Sequence, residues 1–501
     1  MTGVTLAGCT GSSGDSGDPA GEPKSGGTLS WAVTGETASM DPAVCSTVAP
    51  PRCSTIFGTL MRYDSETAEF VPYLAQSFDS EDGQHWTLKL REGTTFSDGT
   101  PFDAAAVVFN WDRIKNPQTL SPAAGVTAGM TWQVVDPLTV SVALESPNYQ
   151  LPWQLVKGLG AIGSPTAIQA AGAEVGNKPV GAGPFVLTQW IRNSQMELTR
   201  NPNYFEEGLP YLDGLITKPI NSDEQRLNAL RSGEIDVDTS FSAEDTATVE
   251  AEGGYDIYET PLVGGSGVMF NYADPAIADP DLRKAIQHAI DGTQINKAVT
   301  PSEETVKTFL PTDDDSLGTL PTTDLSEAQR LFDSYLKRTG RTGETISLLT
   351  YAGFPQMEQT SQLLQAQIQK INGLTVALEP VDNTTMLKRK RQHEFQIVVT
   401  SNLSVDEDLL YDLFHTGGSL NAMNYSNPKV DEALEITRKS GEPDEVAKAY
   451  EVANGEISKD APFLIWRNMS GYIYADQKVQ GIAATGTAAG AAFEWERAWL
   501  N

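Results

Sequence analysis

Hydrophobic and polar positions alternate over residues 86–90, where Trp86, Leu88 and Leu90 are separated by Thr87 and Lys89. A period of two predicts a half-buried strand. Glu92-Gly93 and Asp98-Gly99 follow as turn dipeptides. Asp103 then precedes a run in which Val107, Val108, Trp111 and Ile114 recur at helical spacing. Its carboxylate can accept from free N–H groups of a first turn. The spacing therefore predicts a capped helix from Ala104, ended by Asn116-Pro117. Similar patterns place a first strand over 28–33, an alternating strand after the turn at Asp136-Pro137, and a helix end capped by Gly233. Leu282, Ala285, Ile286 and Ala289 line one face of a helix over 281–291. Residues 300–323 are polar and read as a surface loop. Beyond them come a helix (325–336), a strand (346–349), a helix (357–371), and strands at 374–378 and 395–399. That rhythm is α/β.

The 501 residues suffice for two or three lobes with sizeable cores. A net charge of −31, from 66 acidic and 35 basic residues, opposes binding to nucleic acid or anionic lipid through the protein's own surface. No run of about 18 apolar residues occurs, so no segment is predicted to span a membrane. At the start, Leu6-Ala7-Gly8-Cys9 looks like a bacterial lipobox, which makes Cys9 the expected lipid anchor. Residues 10–27 are rich in Gly, Ser, Asp and Pro and read as a flexible tether. A signal peptide needs a basic start and an apolar core of about 7–15 residues. Only Met1 to Gly8 precede Cys9, so that start is expected upstream or trimmed away. The other two cysteines, Cys45 and Cys53, lack a metal-site spacing and have no histidine nearby. In an exported protein they are expected to form a disulfide, adding about 2–3 kcal/mol by closing a short loop.

Catalytic signatures are missing. The four histidines, His85, His288, His393 and His415, form no H-E-x-x-H pair, and no G-x-S-x-G occurs. Gly181-Ala182-Gly183 is not a phosphate loop, because no G-x-x-x-x-G-K follows. Pairs of carboxylates carry no weight in so acidic a chain. The reading is a binder with no cofactor and no metal site, not an enzyme; a cell-surface hydrolase is the rival class.

The 86–110 stretch resembles the signature segment of family 5 solute-binding proteins of ABC transporters, the oligopeptide-, dipeptide- and nickel-binding group. Members read F-x-L-R-x-G-x-x-F-x-D-G-x-P-x-x-A-x-D-V-x-F. Leu88, Leu90, Arg91, Gly93, Phe96, Asp98, Gly99, Pro101, Ala105, Val107 and Phe109 fall in that frame, while Ala106 replaces a usual acid. Further family motifs follow the family's order: Met40-Asp41-Pro42, Leu74-Ala75-Gln76-Ser77, Pro179-Val180-Gly181, Arg200-Asn201-Pro202, Ser232-Gly233-Glu234 and Asn427-Pro428. The resemblance spans about residues 26–501. It implies an α/β, periplasmic-binding-protein-like fold of type II (cluster C-like): two large lobes joined by a two-strand hinge, plus a small extra lobe. The implied division is 1–26 for lipobox and tether, 27–57 with 179–269 and 470–501 for lobe I, 58–178 for lobe II, and 270–469 for lobe III. Hinge strands are expected around 268–271 and 464–468, with closure of the lobes around ligand.

The resemblance implies an extracytoplasmic, membrane-anchored and monomeric lipoprotein that captures a small solute and passes it to ABC permease subunits. A short peptide is the leading ligand. A sugar, an opine or a metal chelate is the alternative, and a surface peptide sensor is a further one. Peptide-binding relatives set an Asp against the peptide's amino terminus, and Asp406 is the candidate here. Glu36, Thr37, Ala38, Thr239, Ser240, Ser266, Gly267, Asn402, Asn424 and Trp466 fall near expected lining positions. Small residues at Ser266 and Gly267 suggest a roomy or polar site.

Overall fold

Strand His85–Leu90 buries Trp86, Leu88 and Leu90 and exposes the residues between them. In this computed structural model it pairs with Ala75–Ser80 on one side and Thr139–Leu144 on the other, in a four-stranded antiparallel sheet completed by Met130–Asp136. Helix Ala104–Lys115 begins where the cap predicts: Asp103 accepts from the Ala106 N–H at 2.9 Å. Trp111 on that helix is fully buried, and its indole donates to the Leu159 carbonyl at 3.0 Å. Described are residues 22–501 apart from 49, 65–66, 68, 302, 304, 307–308, 310–321, 405, 483 and 488–489. Cys9, most of the tether and most of the 300–323 loop lie outside the described residues.

Two larger sheets carry most of the remaining core. One has seven strands, in the order Tyr255–Pro261, Ser470–Asp476, Val237–Ser240, Thr28–Val33, Gly214–Pro219, Gln195–Arg200 and Phe185–Ile191. The other has five: Leu374–Val381, Glu344–Tyr351, Ile397–Ser404, Val263–Phe270 and Phe463–Arg467. Apolar clusters cover both faces of the five-stranded sheet, so successive residues are buried where its inner strands meet, as at residues 397–399 and 268–270. The predicted helices and strands of this region are present, each a few residues longer or shifted: Leu325–Thr339, Glu344–Tyr351, Pro355–Ile368, Leu374–Val381 and Ile397–Ser404.

The chain passes between the two sheets twice. It leaves the seven-stranded sheet at Pro261 and enters the five-stranded one at Val263. It returns between Arg467 and Ser470. The first crossing lies earlier than the expected boundary at 269, because the whole strand Val263–Phe270 pairs with Ile397–Ser404 and Phe463–Arg467. The small sheet is tied to the first large one: Arg113 pairs with Asp41 at 2.7 Å, and Asp41 also accepts from the Ala43 N–H. Cys45 and Cys53 are disulfide-bonded, with Cα atoms 5.5 Å apart.

Candidate functional site

Strand direction locates the site. Val263 pairs with Ser404, so the carboxyl end of Ile397–Ser404 lies at the first crossing. Glu344–Tyr351 runs parallel to it, and Leu374–Val381 parallel to that, so all three carboxyl ends meet there. On the other side Ser240 pairs with Tyr472, next to the second crossing, and Thr28–Val33 runs parallel to Val237–Ser240. Both sheets thus aim carboxyl ends at the crossings. Ligands of open α/β sheets bind at such ends.

Most of the expected lining residues come to this region, but many are occupied by the fold. Glu36 accepts from the N–H groups of Thr37 (2.8 Å) and Asn193 (2.6 Å). Arg192 donates to the carbonyls of Thr37 and Ala38, which binds this loop to the turn after Phe185–Ile191. The Thr239 hydroxyl reaches the Ala32 carbonyl at 3.3 Å, and buried Ser240 accepts from Ser242 N–H. Ser266 meets Ser401 hydroxyl to hydroxyl at 2.5 Å. Asn402 lies opposite Gly265 with its side-chain amide nitrogen buried and without a hydrogen-bond partner.

One placement departs from the sequence reading, and two others show how far the fold fills the expected site. Asn424 donates to Asn271, just past the far end of Val263–Phe270. Asn271 is five residues beyond Ser266, about 16 Å along the strand and away from the crossings. Trp466 is 3% exposed within the apolar cluster of one sheet face, and it lines a small cavity with Ser266, Gly267 and Arg467. Gly267 lines the same cavity, but the close approach comes from backbone: a Cβ there would lie 1.8 Å from the Leu464 carbonyl oxygen. Its neighbour Gly265 is similarly pressed, 2.5 Å from the Arg467 oxygen. The glycines let strand Val263–Phe270 pass between its two neighbours.

Asp406 is almost wholly buried, two residues past the carboxyl end of its strand. Its carboxylate takes the Lys157 ammonium at 2.6 Å and a short hydrogen bond from Ser404. Glu407 beside it has its pKa pushed up by burial and by the Asp406 charge. Lys157 comes from the lobe of the small sheet, so this pair joins that lobe to the five-stranded one. Nearby, Tyr149 N–H donates to the Arg438 carbonyl (2.7 Å) and Gln150 to that of Thr437 (3.1 Å). At the second crossing, buried Arg467 pairs with Glu303 and donates to the Phe241 carbonyl at 3.3 Å. Burial pushes the Glu303 carboxyl up, and Arg467 opposes that shift. The sequence reading missed Lys157, Glu303 and Arg467, since nothing local distinguishes them from surface charges. It also missed Lys390, whose signal is the basic run Lys388–Arg391 in an acidic chain.

Among the described residues no group of three or more His, Cys, Asp or Glu could hold a metal ion, and no helix is long and apolar enough to cross a membrane. Two large sheets linked by two crossings, with polar and charged groups gathered at the carboxyl ends, define a solute-binding protein of the type II periplasmic fold. Residues 69–423 match the family described as bacterial extracellular solute-binding proteins, family 5 Middle. The chain belongs to that family of extracytoplasmic binding proteins, which serve ABC importers and are transport components rather than enzymes. It is 26% identical over 411 residues to the glutathione-binding protein GsiB of Salmonella paratyphi A, covering 77% of this chain and 78% of that one. Its fold is similar to the Helicobacter pylori protein DppA in complex with peptide STSA (TM-score 0.82, 23% identity, 95% of this chain and 98% of that one). It is also similar to AgaA from A. tumefaciens R10 in complex with agropinic acid (TM-score 0.81, 22% identity, 95% and 99% covered).

Proposed function

We propose that this protein captures a short peptide between its lobes and delivers it to an ABC permease, held at the membrane through lipid on Cys9. Lobe I is built on the seven-stranded sheet, lobe II on the four-stranded sheet and lobe III on the five-stranded sheet, with hinges at the two crossings. The supporting observation is Asp406: a buried carboxylate at a carboxyl strand end, already holding an ammonium. The Lys157 Nζ stands where a peptide's α-ammonium would sit. A ligand amine displaces it and takes over charge-assisted hydrogen bonds of about 1.5–3 kcal/mol.

The test is a thermal-shift panel of di- to hexapeptides and reduced glutathione, followed by calorimetry on Asp406→Asn. The expected outcome is a raised melting temperature with free-amino peptides and roughly ten- to hundredfold weaker binding by the variant. Unchanged affinity in Asp406→Asn removes Asp406 from the site. A panel with no shift, beside a clear shift from an opine or a sugar, replaces the peptide with the second reading. That reading draws on the same pair: with Lys157 already filling Asp406, the site suits a solute that brings no ammonium.

A further inference from the structure

The second crossing carries an ion pair whose two members both reach into the other lobe. Arg467 is the last residue of strand Phe463–Arg467, and its side chain is 8% exposed. Glu303 follows helix Gly292–Val299, which packs on that strand, and its side chain is 10% exposed. The Arg467 Nε and the Glu303 Oε2 are buried and, among the described residues, meet only each other. Backbone bonds hold the glutamate in place. Its N–H donates to the Thr300 carbonyl at 3.1 Å, and the Asn296 amide donates to its carbonyl at 2.8 Å. Gln356 accepts from a second guanidinium nitrogen at 3.3 Å. All of these groups belong to the five-stranded side.

The seven-stranded side meets the pair at one turn, where strand Val237–Ser240 ends and helix Ala243–Glu252 begins. The guanidinium donates to the Phe241 carbonyl at 3.3 Å. The Ala243 N–H, at the first helical position, bonds to the Glu303 carboxylate. Burial pushes that carboxyl up, Arg467 and this N–H pull it down, and Glu244 in the same first turn opposes them. An N–H at a helix start has no partner in its own helix and favours a negative charge. The turn thus offers one acceptor and one free donor, and the pair supplies the guanidinium and the carboxylate that match them. Bonds with a charged partner are roughly twice as strong as neutral ones. The turn itself is firm. Ser242 accepts from the Asp245 N–H at 3.1 Å, donates its own N–H to Ser240 at 3.1 Å, and takes the Tyr474 hydroxyl on its carbonyl at 3.1 Å.

We infer that Arg467 and Glu303 are positioning residues for capture: together they clasp the 241–243 turn and set the angle of lobe I on lobe III at the second crossing. This rests on the reading of lobes that close about the two crossings, and not on the identity of the solute. The crossing strand is interrupted only by Asn468 and Met469, which fix the distance between the lobes and leave the angle free. Rotation there pulls the turn from the pair and leaves a helix start and two charges to find water. The effect of the clasp on binding runs through that angle.

The test removes the donor from the turn and spares the helix. Proline is favoured at the first helical position, where its missing N–H has no intrahelical role. Ser242 before it is already extended, as a residue preceding proline must be. Ala243→Pro therefore breaks one arm of the clasp, and Ala243→Gly, which keeps the N–H, is its control. Glu303→Gln, of the same shape without the charge, is the second variant. The whole protein is followed by small-angle scattering without ligand, by calorimetry with tri-alanine, and by urea unfolding. The expected result is a larger radius of gyration and about fivefold or more weaker tri-alanine binding in Ala243→Pro and Glu303→Gln, with Ala243→Gly like the parent. A lower urea midpoint with scattering and affinity as in the parent makes the pair purely structural and overturns the clasp. Lys157→Met is the reference for lobe motion. No change of scattering or affinity in Ala243→Pro, beside a larger radius in Lys157→Met, overturns the clasp and leaves the hinges standing. No change in either variant overturns both. If tri-alanine does not bind the parent, the peptide reading fails and scattering decides the clasp. If Ala243→Pro does not fold, Glu303→Gln decides it on the same readouts.

Discussion

At the scale of single residues, local chemistry was readable and long-range partnership was not. The Asp103 cap follows from a carboxylate three positions before a free N–H, and the structure has that bond. Asp406 was found through the family frame, yet its partner Lys157 lies 249 positions away and carries no local signal. Asn424 was misplaced because closeness in sequence to Asp406 says nothing about which end of a strand a loop returns to. Lys390 shows the same limit. Its neighbours in sequence suggest a solvated basic patch, whereas packing against Thr400 desolvates it. That burial yields a stability prediction independent of any ligand. With its pKa down from 10.5 to about 8, the native state gives up the proton first as pH rises. Below pH 8 both states hold it and the burial penalty is fully present. Between about 8 and 10.5 the unfolded state binds more protons, so stability rises with pH. On the same helix Lys388, Arg389 and Arg391 are also basic, and Arg389 pairs with Glu379 at 2.7 Å. Lys390→Met is therefore expected to raise the urea midpoint at pH 7, with an advantage that shrinks toward pH 10. A variant less stable than the parent at pH 7 would mean the ammonium supports the fold.

At the scale of elements, periodicity served well for strands and helices and failed for glycine. Trp86, Leu88 and Leu90 alternate because one face of their sheet is buried, and Thr87 and Lys89 face water. A glycine in a strand, by contrast, signals either open space or close approach of another backbone, and sequence does not distinguish them. Gly267 suggested a roomy pocket, but the space is filled by the adjoining strand: the Leu464 oxygen lies where its Cβ would be. Gly267→Ala is expected to force that strand aside and cost roughly 3 kcal/mol, the upper range for overpacking. Gly455 is the control. It lies inside helix Pro443–Asp460 with nothing within 4 Å of a Cβ. Gly455→Ala is expected to stabilise by about 0.5–1 kcal/mol through the helix preference of alanine. Denaturant midpoints measure both. Equal effects from the two substitutions would show that the packing at the crossing strand is slack.

At the scale of the whole molecule, the order of motifs made the family legible, while the contacts between lobes were invisible. Those contacts make a last prediction. Lobe III touches the rest at the two crossings and also through lobe II, where Tyr149 and Gln150 meet Arg438 and Thr437, and Lys157 meets Asp406 just past the strand end at the first crossing. The Lys157–Asp406 pair does two things at once: it holds the lobes together without ligand, and it occupies the carboxylate proposed for the ligand's amine. Lys157→Met separates these effects. Removing the internal ammonium frees Asp406, and if the pair competes with the ligand by about 1.4 kcal/mol, affinity for a free-amino peptide rises about tenfold. An unpaired carboxylate kept buried costs about 3–5 kcal/mol. Separation of the lobes lets water reach it, so the unfolding midpoint falls by less than that cost, and small-angle scattering reports a larger radius of gyration without ligand. Peptide then restores the compact form, because its ammonium replaces the missing lysine. Unchanged scattering together with unchanged or weaker peptide affinity would assign the pair to the fold alone and leave the ligand's amine without its proposed partner.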